Sequence, residues 1–382
     1  MTSRPFPHLP RWVVIVLLVS AGFLLATLPF LALTLGLRSD FLAFYTSGYL
    51  VLQGQAHELY NFDLYYALQE GWLPDMDHPF RFLYAPVFAL SYLPIAVYPL
   101  AVARGLWVLL SLFLVSAAAG LSGRLSRLTL QESVLALLAF PPLYATLLVG
   151  QNSSLTLLVF TAIGLLLWKK QNNFLAGLLA GCLLYKPQLL VALLLLWLRE
   201  RQWRAFAGFL LMAVMVALTS LMVSPSATVE YPFLGQRMVS LMEQGATGSN
   251  GSPYAEIRDM MPPGVAPWVA GGLAAAVLAT LLLKPLHNRY YHAMLWLAPL
   301  LVTPYVANYD LLLLALPMAF LVPHLAGDRV LQLLVALLWI GPLFNVLSPI
   351  RLAMWGALLL YGFCFWRSQY AERAARPAPP SP

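Results

Sequence analysis

Charge is scarce in this sequence. Only 10% of its 382 residues are Asp, Glu, Lys or Arg, while 61% are hydrophobic and the mean hydropathy is +0.77. No water-soluble domain has enough interior for that, because the buried fraction grows only slowly with chain length. Cysteine is scarcer still. Cys182 and Cys364 sit in separate apolar segments, which points to packing rather than a disulfide or a thiolate metal pair. The patterns G-x-x-x-x-G-K-[ST], H-E-x-x-H, paired C-x-x-C and G-x-S-x-G are all missing. Their absence removes the common NTPase, zinc-protease and serine-hydrolase readings. The alternating ten-residue segments of an outer-membrane barrel are missing too.

Long uncharged runs are present instead. Residues 12–37, 82–103, 133–168 and 205–229 carry no Asp, Glu, Lys or Arg. A membrane span takes about 20 apolar residues, so the chain reads as an all-α polytopic membrane protein with about 11–13 transmembrane helices. The first run exceeds the roughly 7–15 apolar residues of a secretory signal and reads as a retained anchor. Residues 1–366 form one membrane domain on this reading. The stretch 367–382, ending in RPAPPSP, reads as a disordered cytoplasmic tail.

Lys and Arg collect on the cytoplasmic side of membrane proteins. Most of the 22 basic residues fall in clusters at residues 4–11, 124–127, 169–170, 199–204, 284–289, 329 and 367–376. Placing these inside puts both termini in the cytoplasm and six tips outside. The outer tips are the loops 38–81 and 224–262, "GQNSS" at 150–154, "YKPQ" at 185–188, "TPYVANYD" at 303–310 and "NVLSPIR" at 345–351. The net charge of +7 follows from the inward-facing basic residues and implies no nucleic-acid partner. One segment breaks the alternation: either 82–98, interrupted by Pro86 and Pro94, is re-entrant, or Arg124 and Arg127 face outward.

The outer tips share a chemistry. They hold most of the acids, together with His57, Gln151, Asn152, Lys186, Gln188, Asn308 and Asp310. Polar groups at membrane depth are costly and mark protein-lined or water-filled cavities, so a single outward-facing site is expected. Each residue also has a plainer reading. Asp40 can be a surface ion-pair partner of Arg38, and Lys186 can snorkel to the interface. Asp310 can be a helix N-terminal charge, and Gln151 and Asn152 can be helix caps.

Five segments in register carry a resemblance. "SDFLAFYTSGYLVLQGQAHELYNFDLY", "FLYAPVFALSYLPIAVYP", "LLVGQNSSL", "GLLAGCLLYKPQLLVALLLLWLRERQW" and "TPYVANYDLLLLALP" resemble, in the same order, the motifs of glycosyltransferase family 87. The resemblance spans residues 10–325. It departs from the family pattern at "YAPV", which keeps only Pro86, and at "VANYD", where mannolipid-making members tend to carry Trp and His. Members are polytopic enzymes of the GT-C fold, and the best-known of them use polyprenyl-phosphate mannose outside the cytoplasm.

The resemblance therefore implies an inverting hexosyltransferase. Its donor would be a polyprenyl-phosphate sugar, with mannose the expected hexose, and its acceptor a lipid or glycan. The site would face the periplasm or exterior of the plasma membrane, with no cofactor and no metal-ligating residue assigned. Asp40, ending the first span, takes the place of the general base. Arg38, Arg81 and Lys186 are cations for the phosphate. Tyr45, Tyr60, Tyr84 and Tyr305 offer rings and hydroxyls for the substrates. The rivals are a polytopic transporter or lipid flippase and a non-catalytic assembly partner. No second copy of the 38–81 loop marks the internal repeat common in transporters.

Overall fold

The computed structural model describes residues 9, 11–34, 36–234, 252–262, 264–283, 287–347 and 352–375. No strand occurs among them. The chain begins with α1 (Arg11–Thr34), α2 (Asp40–Leu52) and α3 (Phe62–Trp72). The charged stretch after the first apolar run is thus mostly two short helices. Asn61 starts the second of them, its side chain accepting from the Leu64 amide at 3.2 Å. A 3₁₀ turn over Pro86–Tyr92 leads into α4 (Leu93–Ala96) and then the long α5 (Leu100–Ser126).

Proline sets the next break. α6 (Leu130–Leu138) opens with a capping box between Thr129 and Glu132. α7 (Pro141–Val149) follows at a 65° bend, because Pro141 and Pro142 have no amide hydrogens to continue the helix. After α8 (Ser153–Lys169) come two half-length helices, α9 (Asn173–Gly181) and α10 (Val191–Arg199), which meet around Lys186. α11 (Trp203–Val223) packs tightly on α9. A Cβ on Gly177 would collide with the Ala205 carbonyl and one on Gly208 with that of Phe174, so small residues let these backbones touch. The remaining helices are α12 (Pro225–Glu230), α13 (Pro253–Met260), α14 (Ala266–Leu283), α15 (Arg289–Val302), α16 (Ala315–Leu321), α17 (Arg329–Leu347) and α18 (Leu352–Ala375).

Among the described residues, four helices are long and apolar enough to cross a membrane: 100–126, 203–223, 266–283 and 310–327, the last a helix with 3₁₀ ends. The bent α6–α7 pair makes five if it is one span, and five further apolar helices are shorter. The chain is an all-α, multi-pass membrane protein. The expected count of about 11–13 took each apolar run of about 20 residues as a span or a pair, whereas proline and glycine divide several runs into halves. Pro86–Ala96 is too short to cross, which fits the re-entrant reading of 82–98. α18 runs to Ala375, so the start of the expected tail is helical, as its "AERAA" sequence favours. Residues 235–251, 348–351 and 376–382, parts of the expected outer loops and tail, lie outside the described residues.

Two large apolar cores organise the described residues, and a small third cluster of Leu17, Ala21, Leu135 and Ala139 joins α1 to the end of α6. Of the two, the larger draws on α5 to α11 and α14 to α18. The smaller is aromatic and joins α2, α3 and the Pro86–Tyr92 turn through Phe41, Phe44, Tyr65, Tyr92 and Trp107. Phe44 stacks on Tyr92 with ring centroids 4.7 Å apart, a contribution beyond simple burial. Tyr84 and Phe88 pack against both cores. Asp40, Gln151, Lys186 and Asp310 meet at this junction.

Candidate functional site

Asp40 is the first residue of α2, preceded by Ser39 in extended backbone. The next residues, Phe41 and Leu42, are fully buried and fix this end of the helix. Gln151 donates from Nε2 to Asp40 Oδ2 at 2.8 Å. Its Oε1 accepts from the Asn152 amide at 3.3 Å and the Tyr84 hydroxyl at 3.4 Å. Since only the amide oxygen can accept, these contacts turn the NH₂ group toward the carboxylate. Asn152 stands at the start of α8 yet its side chain makes no cap bond. For Gln151 the capping reading therefore gives way to an interaction with Asp40, while the Asn152 side chain faces the Tyr92 hydroxyl.

The turn that carries Gln151 closes α7. Gly150 has φ +73°, and its amide and that of Gln151 both donate to the Thr146 carbonyl, at 2.9 and 3.1 Å. A Cβ at Gly150 would lie 2.5 Å from both Arg104 Nη1 and Phe41 Cβ. Gly150→Ala is expected to cost about 2–4 kcal/mol, from left-handed strain plus overpacking. The check is the unfolding midpoint of purified protein; a parental midpoint would show that the turn relaxes freely.

Lys186 neither snorkels nor stands free. It is 5% exposed, and its Nζ pairs with Asp310 Oδ1 at 2.6 Å. It also lies over the Tyr309 ring, 5.0 Å from the centroid. Asp310 accepts from Ser153 Oγ at 3.3 Å and from the Ala307 amide at 3.2 Å. The charge of Lys186 and that of Asp310 both act on Asp40, and the Tyr309 hydroxyl faces the same carboxylate. Burial pushes the Asp40 carboxyl above the ordinary range. The hydrogen bond from Gln151 and then the Lys186 charge oppose that rise, while Asp310 adds to it. Tyr185 completes the wall: its ring meets Tyr84 edge-on at 5.6 Å and its hydroxyl lies 2.9 Å from Thr156 Oγ1.

Asp40, Tyr84, Gln151, Asn152, Lys186 and Asp310 thus come together, with Tyr305 turned toward Tyr309. Other expected site residues are engaged elsewhere. Arg38 donates to the carbonyls of Pro74 at 2.5 Å and Asp75 at 3.1 Å, so the cation acting on Asp40 is Lys186. Arg81 lies over the Phe62 ring at 5.2 Å. Tyr45 donates to the Tyr98 carbonyl at 2.9 Å and Tyr60 to the Tyr84 carbonyl at 2.7 Å. The His57 side chain is 61% exposed and 3.4 Å from Glu58. Gln188 and Asn308 are half-buried, each two residues from a member of the ion pair. The sequence reading missed Arg104, Trp107, Ser153, Tyr185 and Tyr309. Arg104 had left a signal: it is the lone charge between Arg81 and Arg124, and a charge inside a span is a functional flag.

Residues 82–292, more than half of the sequence, match glycosyltransferase family 87. The chain belongs to that family. It is therefore a membrane glycosyltransferase, acting with a sugar donor and an acceptor. Neither a curated protein nor a solved structure matches it. The part matched to family 87 includes Tyr84, Arg104, Gln151, Tyr185 and Lys186. It begins after Asp40 and ends before Asp310, so the roles of these two carboxylates rest on geometry.

Proposed function

We propose that this family 87 chain transfers a hexose, mannose first among the donors to try, from a polyprenyl-phosphate carrier to a lipid or glycan acceptor. The reaction takes place at the extracytoplasmic face of the plasma membrane. The observation that carries the reading is the Asp40 carboxylate, held at 2.8 Å by Gln151 and facing the Lys186 charge beneath a wall of tyrosines. Such a donor brings its own leaving group, so a nucleotide-binding loop is not required.

In this reaction the acceptor hydroxyl gives its proton to Asp40 as its oxygen bonds to the anomeric carbon. The carbon–oxygen bond to phosphate breaks on the opposite face, and its electron pair leaves with the polyprenyl phosphate. A single displacement inverts the centre, so a β-linked donor gives an α-glycoside. One carboxylate suffices for this chemistry, where glycoside hydrolysis uses two. Lys186 is the cation best placed for the departing phosphate, as a compact charge with three donors, of which Asp310 engages one.

The test is purified protein incubated with polyprenyl-phosphate mannose, glucose or other hexose donors and a membrane lipid extract, read by mass spectrometry. A mass gain of one hexose on an acceptor, with loss of donor, is the expected result. Donor movement across proteoliposomes without any glycosylated product would instead favour the transporter reading. A reporter fused at Asp75 is expected to signal from the outer compartment, and a cytoplasmic signal there would overturn the proposed sidedness.

A further inference from the structure

Arg104 is a charge that the proposed chemistry does not use. It is 4% exposed and lies one turn inside a helix long enough to cross a membrane. Among the described residues no carboxylate lies within ion-pair distance of it. One of its amino groups donates to the carbonyls of Leu147 and Leu148, at 2.5 and 2.6 Å. These belong to the last turn of α7, whose carbonyls have no partner within the helix. The Nε and the other amino group are buried without an acceptor. The guanidinium lies over the Phe41 ring at 5.2 Å, and its far edge presses on Gly150 where no Cβ stands in the way. One turn along α5, the Trp107 indole N–H donates to the Gly150 carbonyl at 2.8 Å.

These contacts fall on two places. Phe41 is the neighbour of Asp40, and the segment Leu147–Gly150 runs directly into Gln151. Arg104 therefore touches both chain segments that carry the ends of the Gln151–Asp40 hydrogen bond. We propose that Arg104 is a positioning residue which, with Trp107, locks the 147–151 turn against α2 and so holds Gln151 on the Asp40 carboxylate. The inference rests on Asp40 being the base. Arginine suits the task because its flat, rigid fork reaches two carbonyls while lying on a ring. A lysine would keep the charge and lose the plane.

The experiment compares Arg104→Met, Arg104→Lys, Trp107→Phe and Gln151→Ala, alone and in pairs, together with Asp40→Asn. Readouts are kcat, donor KM and the pH dependence of kcat. The groups facing Asp40 are Tyr84 before the Pro86–Tyr92 turn, Gln151 from the α7–α8 turn, Lys186 from the α9–α10 turn, and Tyr305, Tyr309 and Asp310 after α15. Arg104→Met is expected to lower kcat by about tenfold to 10²-fold, the scale for a misplaced catalytic group, with donor KM within about twofold of parental. The acid limb of kcat should move to higher pH, because the ionised carboxylate loses its hydrogen bond.

On the Gln151→Ala background the same substitution should cost less than about twofold, since its effect passes through Gln151. Arg104→Lys should recover part of the loss. Additive losses with Gln151→Ala, or an unmoved acid limb, would overturn the proposal. Should Arg104→Met not fold, Trp107→Phe and Arg104→Lys decide on the same two readouts. Asp40→Asn separates the levels. If it keeps turnover, the base reading fails and this inference falls with it. If it abolishes turnover while Arg104 and Gln151 act additively, the positioning role alone is wrong.

Discussion

Lys186→Met is expected to destabilise the protein by about 3–5 kcal/mol, the range for removing one partner of a buried ion pair. The two side chains are 7% and 9% exposed and their charged atoms lie 2.6 Å apart. Without Lys186, Asp310 keeps only Ser153 Oγ and the Ala307 amide, at 3.3 and 3.2 Å. Asp40 and Asp310 would also repel each other with no cation between them. Lys186→Gln combined with Asp310→Asn removes both charges; the one Asn oxygen can accept from the Ala307 amide while its NH₂ donates to Ser153 Oγ and the Gln oxygen. That pair should recover most of the lost stability, since a neutral buried pair escapes the desolvation penalty. It should not recover turnover, because the charge facing Asp40 and the phosphate is gone. Lys186→Arg should retain more turnover than Lys186→Met. The measurements are the unfolding midpoint and the initial rate with donor. A parental midpoint for Lys186→Met would mean the pair does not form, and full turnover of the double variant would remove Lys186 from phosphate binding.

The membrane class was legible because it depends on composition and run length, both of which survive without knowledge of tertiary contacts. The short motifs picked out Asp40, Tyr84, Gln151, Asn152, Lys186 and Asp310, and these residues do meet. What the motifs could not supply was pairing. Lys186 and Asp310 stand 124 positions apart, and no local pattern tells a cation waiting for phosphate from one committed to a carboxylate. Arg38 illustrates the opposite error. Its closeness to Asp40 in sequence suggested an ion pair, but α2 starts between them and its side chain turns to the carbonyls of Pro74 and Asp75. Arg104 lies outside the loop tips, and its signal is of another kind: a lone charge in an apolar run. Among the described residues four or five helices are long and apolar enough to cross, against about 11–13 expected, and the difference has a local reason. Hydropathy does not register that Pro141, Pro142 and Pro187 interrupt the backbone hydrogen bonds.

Asp40→Asn is the substitution with the largest expected effect on chemistry: turnover should fall by about 10²-fold or more, the range for losing a general base. The change is nearly isosteric. Asn keeps an oxygen that accepts from Gln151 Nε2, now 2.8 Å away, so the turn and the start of α2 should hold their places. What it loses is the basic lone pair that takes the acceptor's proton. Donor affinity and the unfolding midpoint should therefore stay near parental, which separates a chemical defect from a packing one. The pH profile adds a second signature. With its pKa raised by burial, Asp40 in the parent is protonated at a higher pH than an ordinary aspartate. The parental rate should fall as pH drops through that value, because only the ionised form can accept a proton. The residual rate of Asp40→Asn should show no such limb. Near-parental turnover, or an acid limb that persists in the variant, would remove Asp40 as the base. A variant that loses donor affinity and stability together would return it to a structural role at the head of α2.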